Sequence, residues 1–183
     1  MVSDVDDSQL VANCLKGNSK AFDRLIERYQ KTIFNAAYQM VNDFDEAEDI
    51  CQNAFVKAYE NLERYDSQYK FFSWIYKIMV NEAINQLNRR SQFAPLDASM
   101  ASLDKTPEEV YRDERLAAEV QDLVAELTID YRVAIVLKHF VSLSYRDMSF
   151  ILDIPEKTVK SRLYSARQML SRLLNKNGIR LYD

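Results

Sequence analysis

Glycine stands at only two positions, Gly17 and Gly178, so the whole chain between them folds without it. Proline is nearly as scarce, at 3 of 183 residues. Both residues interrupt helices, and their scarcity beside abundant Leu, Ala, Glu, Arg and Lys predicts a chain built of helices. The same scarcity removes chemistry. A G-x-G-x-x-G turn and a Walker-type phosphate loop both need glycines that are not there. His139 is the single histidine, which excludes H-E-x-x-H and every multi-histidine metal centre. No serine is flanked as in a G-x-S-x-G elbow. Cys14 and Cys51 stand apart, without a C-x-x-C pair, so neither a disulfide framework nor a zinc site is suggested. Each falls on an apolar helical face, which fits a buried thiol. No set of residues supports an enzyme, and no cofactor is implied. No run of about 18 apolar residues occurs, and the opening MVSDVDDS has no basic or apolar leader. A soluble, cytoplasmic protein without membrane insertion is expected.

Apolar residues at helical spacing divide the chain. A short helix starts at Asp7-Ser8, carries Leu10, Val11, Cys14 and Leu15, and stops at Gly17-Asn18. A longer one opens at Ser19 and runs through Phe22, Leu25, Ile33, Ala37 and Val41 to a break at Asn42-Asp43. A third starts near Asp45, its stripe including Ala47, Ile50, Cys51, Ala54, Phe55, Ala58 and Tyr59. Its acidic first turn complements the helix dipole. The loop Arg64–Lys70 precedes a fourth helix from about Phe71 to Arg90. Ser91 to Lys105, interrupted by Pro95, reads as linker. Thr106-Pro107-Glu108-Glu109 forms a capping box that restarts a helix, continued by Val110, Leu116, Val120, Leu123 and Leu127. Asp130 begins another, to about Phe140. Ser144 caps a short helix, Asp153-Ile154-Pro155 turns the chain, and a last helix runs from about Glu156 to Lys176. Val159, Leu163, Met169, Leu170, Leu173 and Leu174 form its apolar side. The fold class is all-α: two small helical domains, 1–92 and 107–183, joined by a flexible linker at 93–106.

The net charge of −4 argues against nucleic acid only if it is spread evenly. It is not. Residues 1–65 carry −5, 66–93 carry +2, 94–130 carry −7 and 131–183 carry +6. A short helix, a tight turn and a basic amphipathic helix make a helix-turn-helix, whose second helix enters the major groove. A solvated basic face on a plain helical hairpin would give the same pattern.

The strings around that turn carry a resemblance. Ser144-Tyr145-Arg146-Asp147-Met148, Leu152 through Leu163 and Ala166-Arg167 resemble the C-terminal helix-turn-helix of bacterial sigma factors of the small extracytoplasmic-function (ECF) class. Asp45 through Tyr59 and Phe71 through Asn81 are similar to that class in the N-terminal half. The match spans most of the chain. It implies a subunit without catalytic chemistry that binds core RNA polymerase, at the largest subunit's clamp helices and the flap, and carries it to promoter DNA. It further implies an anti-sigma factor that holds a compact, inactive form.

Residue roles follow from the resemblance. Lys157, Thr158, Lys160, Ser161, Arg162, Tyr164, Ser165 and Arg167 would meet the minus-thirty-five element, with Tyr145 and Arg146 near the backbone. Val159, Leu163 and Leu170 would be core. The minus-ten element would meet Tyr65, Asp66, Ser67, Gln68, Tyr69 and Lys70, an exposed loop able to accept a flipped base. Asn81, Asn85, Asn88, Arg89 and Arg90 would follow along the next helix. For Tyr65 and Tyr69 core packing and base contact stand level, while Phe71, Trp74 and Ile75 read as core. Asp49, Gln52, Asn53 and Lys57 would face the polymerase. The sequence departs from the family pattern at Asp153, where Gly is usual. Lys157 replaces a small residue, Ser165 a basic one, Asn88 an Arg, and Leu127-Thr128 a Leu-Pro. The residues alone also allow a repressor or activator dimerised through residues 1–90, with half-sites about one helical turn apart, or a helical adaptor whose basic end meets an acidic protein. Weak DNA binding by the free protein is expected, because its acidic segments repel phosphates.

Overall fold

The structure, a computed structural model, describes residues 6–93 and 112–179. Among these residues eight α-helices run in order: α1 (Asp7–Leu15), α2 (Lys20–Val41), α3 (Phe44–Glu60), α4 (Phe71–Phe93), α5 (Arg112–Ala125), α6 (Ile129–Ile135), α7 (Tyr145–Leu152) and α8 (Glu156–Lys176). A 3₁₀ turn at Leu62–Arg64 follows α3, and a π-helical turn at Val136–Phe140 extends α6.

The helix ends are set by local chemistry. Gly17, at φ 94°, closes α1 in a conformation that a Cβ disfavours. Asn42 takes the left-handed position after α2 and donates its N–H to the Tyr38 carbonyl at 2.8 Å. Asp43 then caps α3, its carboxylate accepting from the Glu46 N–H at 3.0 Å. Alanines 36, 37, 47, 54 and 58 are all buried along α2 and α3, and small side chains there let the two backbones approach closely. Phe22, Leu25, Ile33, Ile50, Phe55, Ile75 and Met79 fill the remaining core. Burying a large apolar side chain stabilises by about 1.5–3 kcal/mol.

In the C-terminal half, the Ser144 hydroxyl accepts from the Asp147 N–H at 3.1 Å and starts α7. Asp153, at φ 54° and ψ 42°, closes it in the left-handed region; Asp tolerates that region where glycine is the usual choice. Val159, Leu163 and Ala166 bury one face of α8, which packs across α6 and α7. Buried apolar residues from both halves join in a single cluster. The halves meet through α4 against α7 and α6, and through α2 against α5 and the π turn.

Several boundaries differ from those read in the sequence. Ser91, assigned to the linker, continues α4 to Phe93, and its hydroxyl donates back to the Asn88 carbonyl at 2.9 Å. The third helix starts at Phe44 because Asp43 is a cap and not a break. The sixth starts at Ile129, one residue before Asp130, after Thr128. Met169 and Tyr59 are exposed although helical spacing places both on apolar stripes. Position 169 is off the core-facing row of buried 159, 163 and 166 and half-buried 170, and the ring of Tyr59 packs edge-on against Phe22, 5.1 Å between centroids. Leu116 is exposed too, whereas Val120 and Val124 of the same helix pack on the core. The capping box at Thr106–Glu109 and the linker from 94 lie outside the described residues.

Candidate nucleic-acid interface

α8 presents Lys157, Thr158, Lys160, Ser161, Tyr164 and Arg167 to solvent, with Ser165 half-buried beside them. Positions 157, 160, 161 and 164 share one helical face, on which Tyr164 is 66% exposed. The neighbouring elements steady this face. The Lys160 ammonium sits 5.4 Å from the Tyr145 ring centroid and the Lys138 ammonium 4.9 Å from it. Lys138 is itself held by donating to the Leu143 carbonyl at 2.9 Å. Arg167 Nε donates to His139 Nε2 at 3.2 Å. Burial, followed by the Arg167 and Lys138 cations, pulls the His139 pKa below its usual value, which keeps Nε2 able to accept. Arg146 is exposed in the first turn of α7. Arg162 points elsewhere: it is mostly buried and pairs with Asp130 at 3.1 Å, bracing α8 against the start of α6.

The loop before α4 separates two tyrosines that the sequence could not. Tyr65 is half-buried, packs on Phe71 and Trp74, and donates its hydroxyl to the Tyr69 carbonyl at 2.6 Å. It shapes the loop. Asp66 does so as well, accepting from the Gln68 N–H at 2.9 Å. Ser67, Gln68, Tyr69 and Lys70 are exposed. Phe71 and Ile75 are buried, as expected of core residues, while Trp74 is half-buried. Asn81, Asn85, Asn88 and Arg89 are exposed along α4. Arg90 is a clamp instead. It donates to the Val41 carbonyl at 3.0 Å and to Glu46 at 2.7 Å, with Asp43 3.4 Å away.

Trp74, Ile78 and Asn81 also border a cavity of about 290 Å³ with Asn61, Arg64 and Glu82. The sequence reading missed Ile78, Asn61 and Arg64 as site residues. Spacing alone, stepping back from Asn81 by three and seven residues, would have found Ile78 and Trp74. Lys57 lines the same cavity and pairs with Glu82 at 2.6 Å, while Asp49, Gln52 and Asn53 are exposed farther along α3. Val56, unmarked in the sequence, is 55% exposed among them.

Comparison with known proteins places the chain in a family. The family described as Sigma-70 region 2 matches residues 25–93, and Sigma-70, region 4 matches residues 117–170. RNA polymerase sigma-H factor of Pseudomonas aeruginosa is 32% identical, over 95% of this chain and 96% of its own. The ECF RNA polymerase sigma-E factor of Escherichia coli is 33% identical, over 93% and 95%. The chain belongs to the ECF sigma factors. Among solved structures, CnrH in complex with the cytosolic domain of CnrY superposes with a TM-score of 0.72 at 26% identity, covering 93% of this chain and 97% of that one. A sigma factor of this class is a transcription initiation factor and not an enzyme: it binds core RNA polymerase and directs it to promoter DNA. The dimeric repressor and the adaptor are thereby set aside. Among the described residues no helix is long and apolar enough to cross a membrane.

Proposed function

We propose that residues 1–92 and 107–183 act as the two promoter-binding units of this sigma factor, joined by a linker at 93–106. In the C-terminal unit, α8 reads the minus-thirty-five element through Lys157, Thr158, Lys160, Ser161, Tyr164 and Arg167. Ser165 lies at the edge of that contact, and Tyr145 and Arg146 touch the backbone. The observation that carries this reading is the continuous exposed face of α8, cationic inside a chain that is acidic as a whole. Phosphates attract that face while the acidic remainder limits binding without polymerase. In the N-terminal unit, Ser67, Gln68, Tyr69 and Lys70 approach the minus-ten element, and Asn81, Asn85, Asn88 and Arg89 continue the contact. Trp74 and Asn81 offer a stacking surface and an amide to an unstacked base. Tyr65, Asp66, Arg90 and Arg162 hold these elements in place. Asp49, Gln52, Asn53, Val56 and Lys57 dock on the polymerase clamp helices. The protein works in the cytoplasm, and an anti-sigma factor keeps it inactive.

Selection of promoter fragments by reconstituted holoenzyme, followed by run-off transcription, tests this. Lys160→Glu with Arg167→Glu is expected to abolish selective transcription while core polymerase binding persists. Unchanged promoter selection by that variant would refute the assignment of α8.

A further inference from the structure

The ring of Phe150, on α7, lies 4.0 Å from the ring of Tyr69, centroid to centroid, with planes 20° apart. That is how a nucleobase lies on a tyrosine in a single-strand site. The contact is not isolated. The Lys77 ammonium sits 4.9 Å from the Phe150 ring centroid and 3.9 Å from the Asp153 carboxylate. Ser73, one turn earlier on α4 and buried, donates to Asp147 at 3.2 Å. α7 is thus fastened to α4 and its preceding loop at each of its turns. The face of α8 stays exposed throughout.

From this geometry we propose that Phe150 is an internal stand-in for a promoter base, so that closure of the two halves and capture of unstacked DNA by Tyr69 exclude one another. The inference rests on the proposed role of the minus-ten loop. Phe150 covers one face of the Tyr69 ring, and a base can take that face only once α7 has moved away. The closed chain therefore withholds that stacking face by its own contacts, and no second protein is needed to do so. The minus-thirty-five helix remains available, so α8 can meet duplex DNA before the loop is free. Because the linker keeps the halves at high effective concentration, strand affinity is reduced by the fraction of chains that are closed.

Four proteins make the test: the full chain, Phe150→Leu, Phe150→Trp and Tyr69→Ala. Phe150→Leu keeps apolar bulk in a half-buried position, and helical circular dichroism checks that each variant folds. Two readouts are taken from each, the distance between dyes on Glu63→Cys and Ser171→Cys, and the affinity for a degenerate pool of short single strands. Phe150→Leu is expected to lengthen the distance and to raise strand affinity about three- to tenfold. Phe150→Trp, which restores a stacking ring, returns both towards the parent. An unchanged distance in Phe150→Leu overturns the clasp. A longer distance with unchanged strand affinity, while Tyr69→Ala still weakens strand binding, overturns the competition. Should Tyr69→Ala leave strand binding intact, the minus-ten reading of the loop fails first, and the stand-in role falls with it.

Discussion

The guanidinium of Arg132, on α6, donates from Nη1 to the carbonyl of Met40 in the last turn of α2, at 2.9 Å. Its Nη2 donates to the carbonyls of Ala125 and, at 3.3 Å, Leu127. One side chain therefore satisfies orphan carbonyls at the ends of two helices, and one of these helices belongs to the other half of the chain. The neighbouring carbonyls of α2 are served in the same way. Gln121 donates to Gln39 at 3.2 Å and Arg90 to Val41 at 3.0 Å; Arg90, like Arg132, also complements the negative end of the helix dipole.

Removing Arg132 tests that connection. Arg132→Ala is expected to destabilise the protein by about 2–3 kcal/mol, since hydrogen bonds from a charged donor contribute about 1.5–3 kcal/mol. Arg132→Lys should fall between, because a single ammonium lacks the fork that reaches several carbonyls. Urea unfolding gives the energies. A loss below about 0.5 kcal/mol in Arg132→Ala would show that water serves these carbonyls equally well.

The two thiols should be unreactive in the folded chain. Burial, with a smaller contribution from the Glu48 carboxylate, raises the Cys51 pKa from 9.0 to about 11. Burial, and then Asp23, raises Cys14 as well. Ellman's reagent at about pH 8 is expected to titrate both only after unfolding. The unfolded chain loses the Cys51 proton near 9.0, while the folded chain holds it to about 11. Between those values the unfolded state binds fewer protons, so stability falls as pH rises; below 9.0 the contribution is intact. Cys51→Ala should flatten the decline in urea midpoint across that window.

The turn between α7 and α8 permits a graded test. Asp153 adopts the left-handed region, and its exposed carboxylate lies 3.9 Å from Lys77. Asp153→Gly relieves the backbone and removes only a weak surface pair, worth about 0–1 kcal/mol, so it should stay within about 0.5 kcal/mol of the parent. Asp153→Val should lose about 1–2 kcal/mol, because a β-branched residue is strained there. Thermal unfolding of the three proteins checks the order; equal midpoints would mean that the turn relaxes to another conformation.

The sequence revealed the helices, the turn at Asp153 and the cap at Ser144, because spacing and local hydrogen bonding decide them. It assigned Phe71 and Ile75 to the core for the same reason. The destinations of three cations escaped it. Arg90, Arg132 and Arg162 look alike in a string of residues, yet each is committed to a partner 32 to 92 residues away. Tyr65 and Tyr69 were inseparable by pattern, since the distinguishing contacts come from Trp74 and from Phe150, on different helices. Such pairings are tertiary facts that no local period encodes.

That difference among cations gives a measurement on DNA. Lys160, held only by the Tyr145 ring, lies on the exposed face of α8 within reach of a phosphate, whereas Arg162 is spent on Asp130. Each phosphate neutralised in a duplex contributes about −0.9 to the slope of log affinity against log salt. With holoenzyme on a selected promoter fragment, Lys160→Ala should make the slope shallower by about one. Arg162→Ala should leave it nearly unchanged and cost a few tenths of a kcal/mol in stability, since a partly exposed pair contributes about 0.2–1 kcal/mol. Asp130→Asn should do the reverse and free Arg162, steepening the slope. If Arg162→Ala proved the more salt-sensitive change, Arg162 would have to exchange Asp130 for phosphate on binding, and the face that reads the minus-thirty-five element would extend one row further round α8.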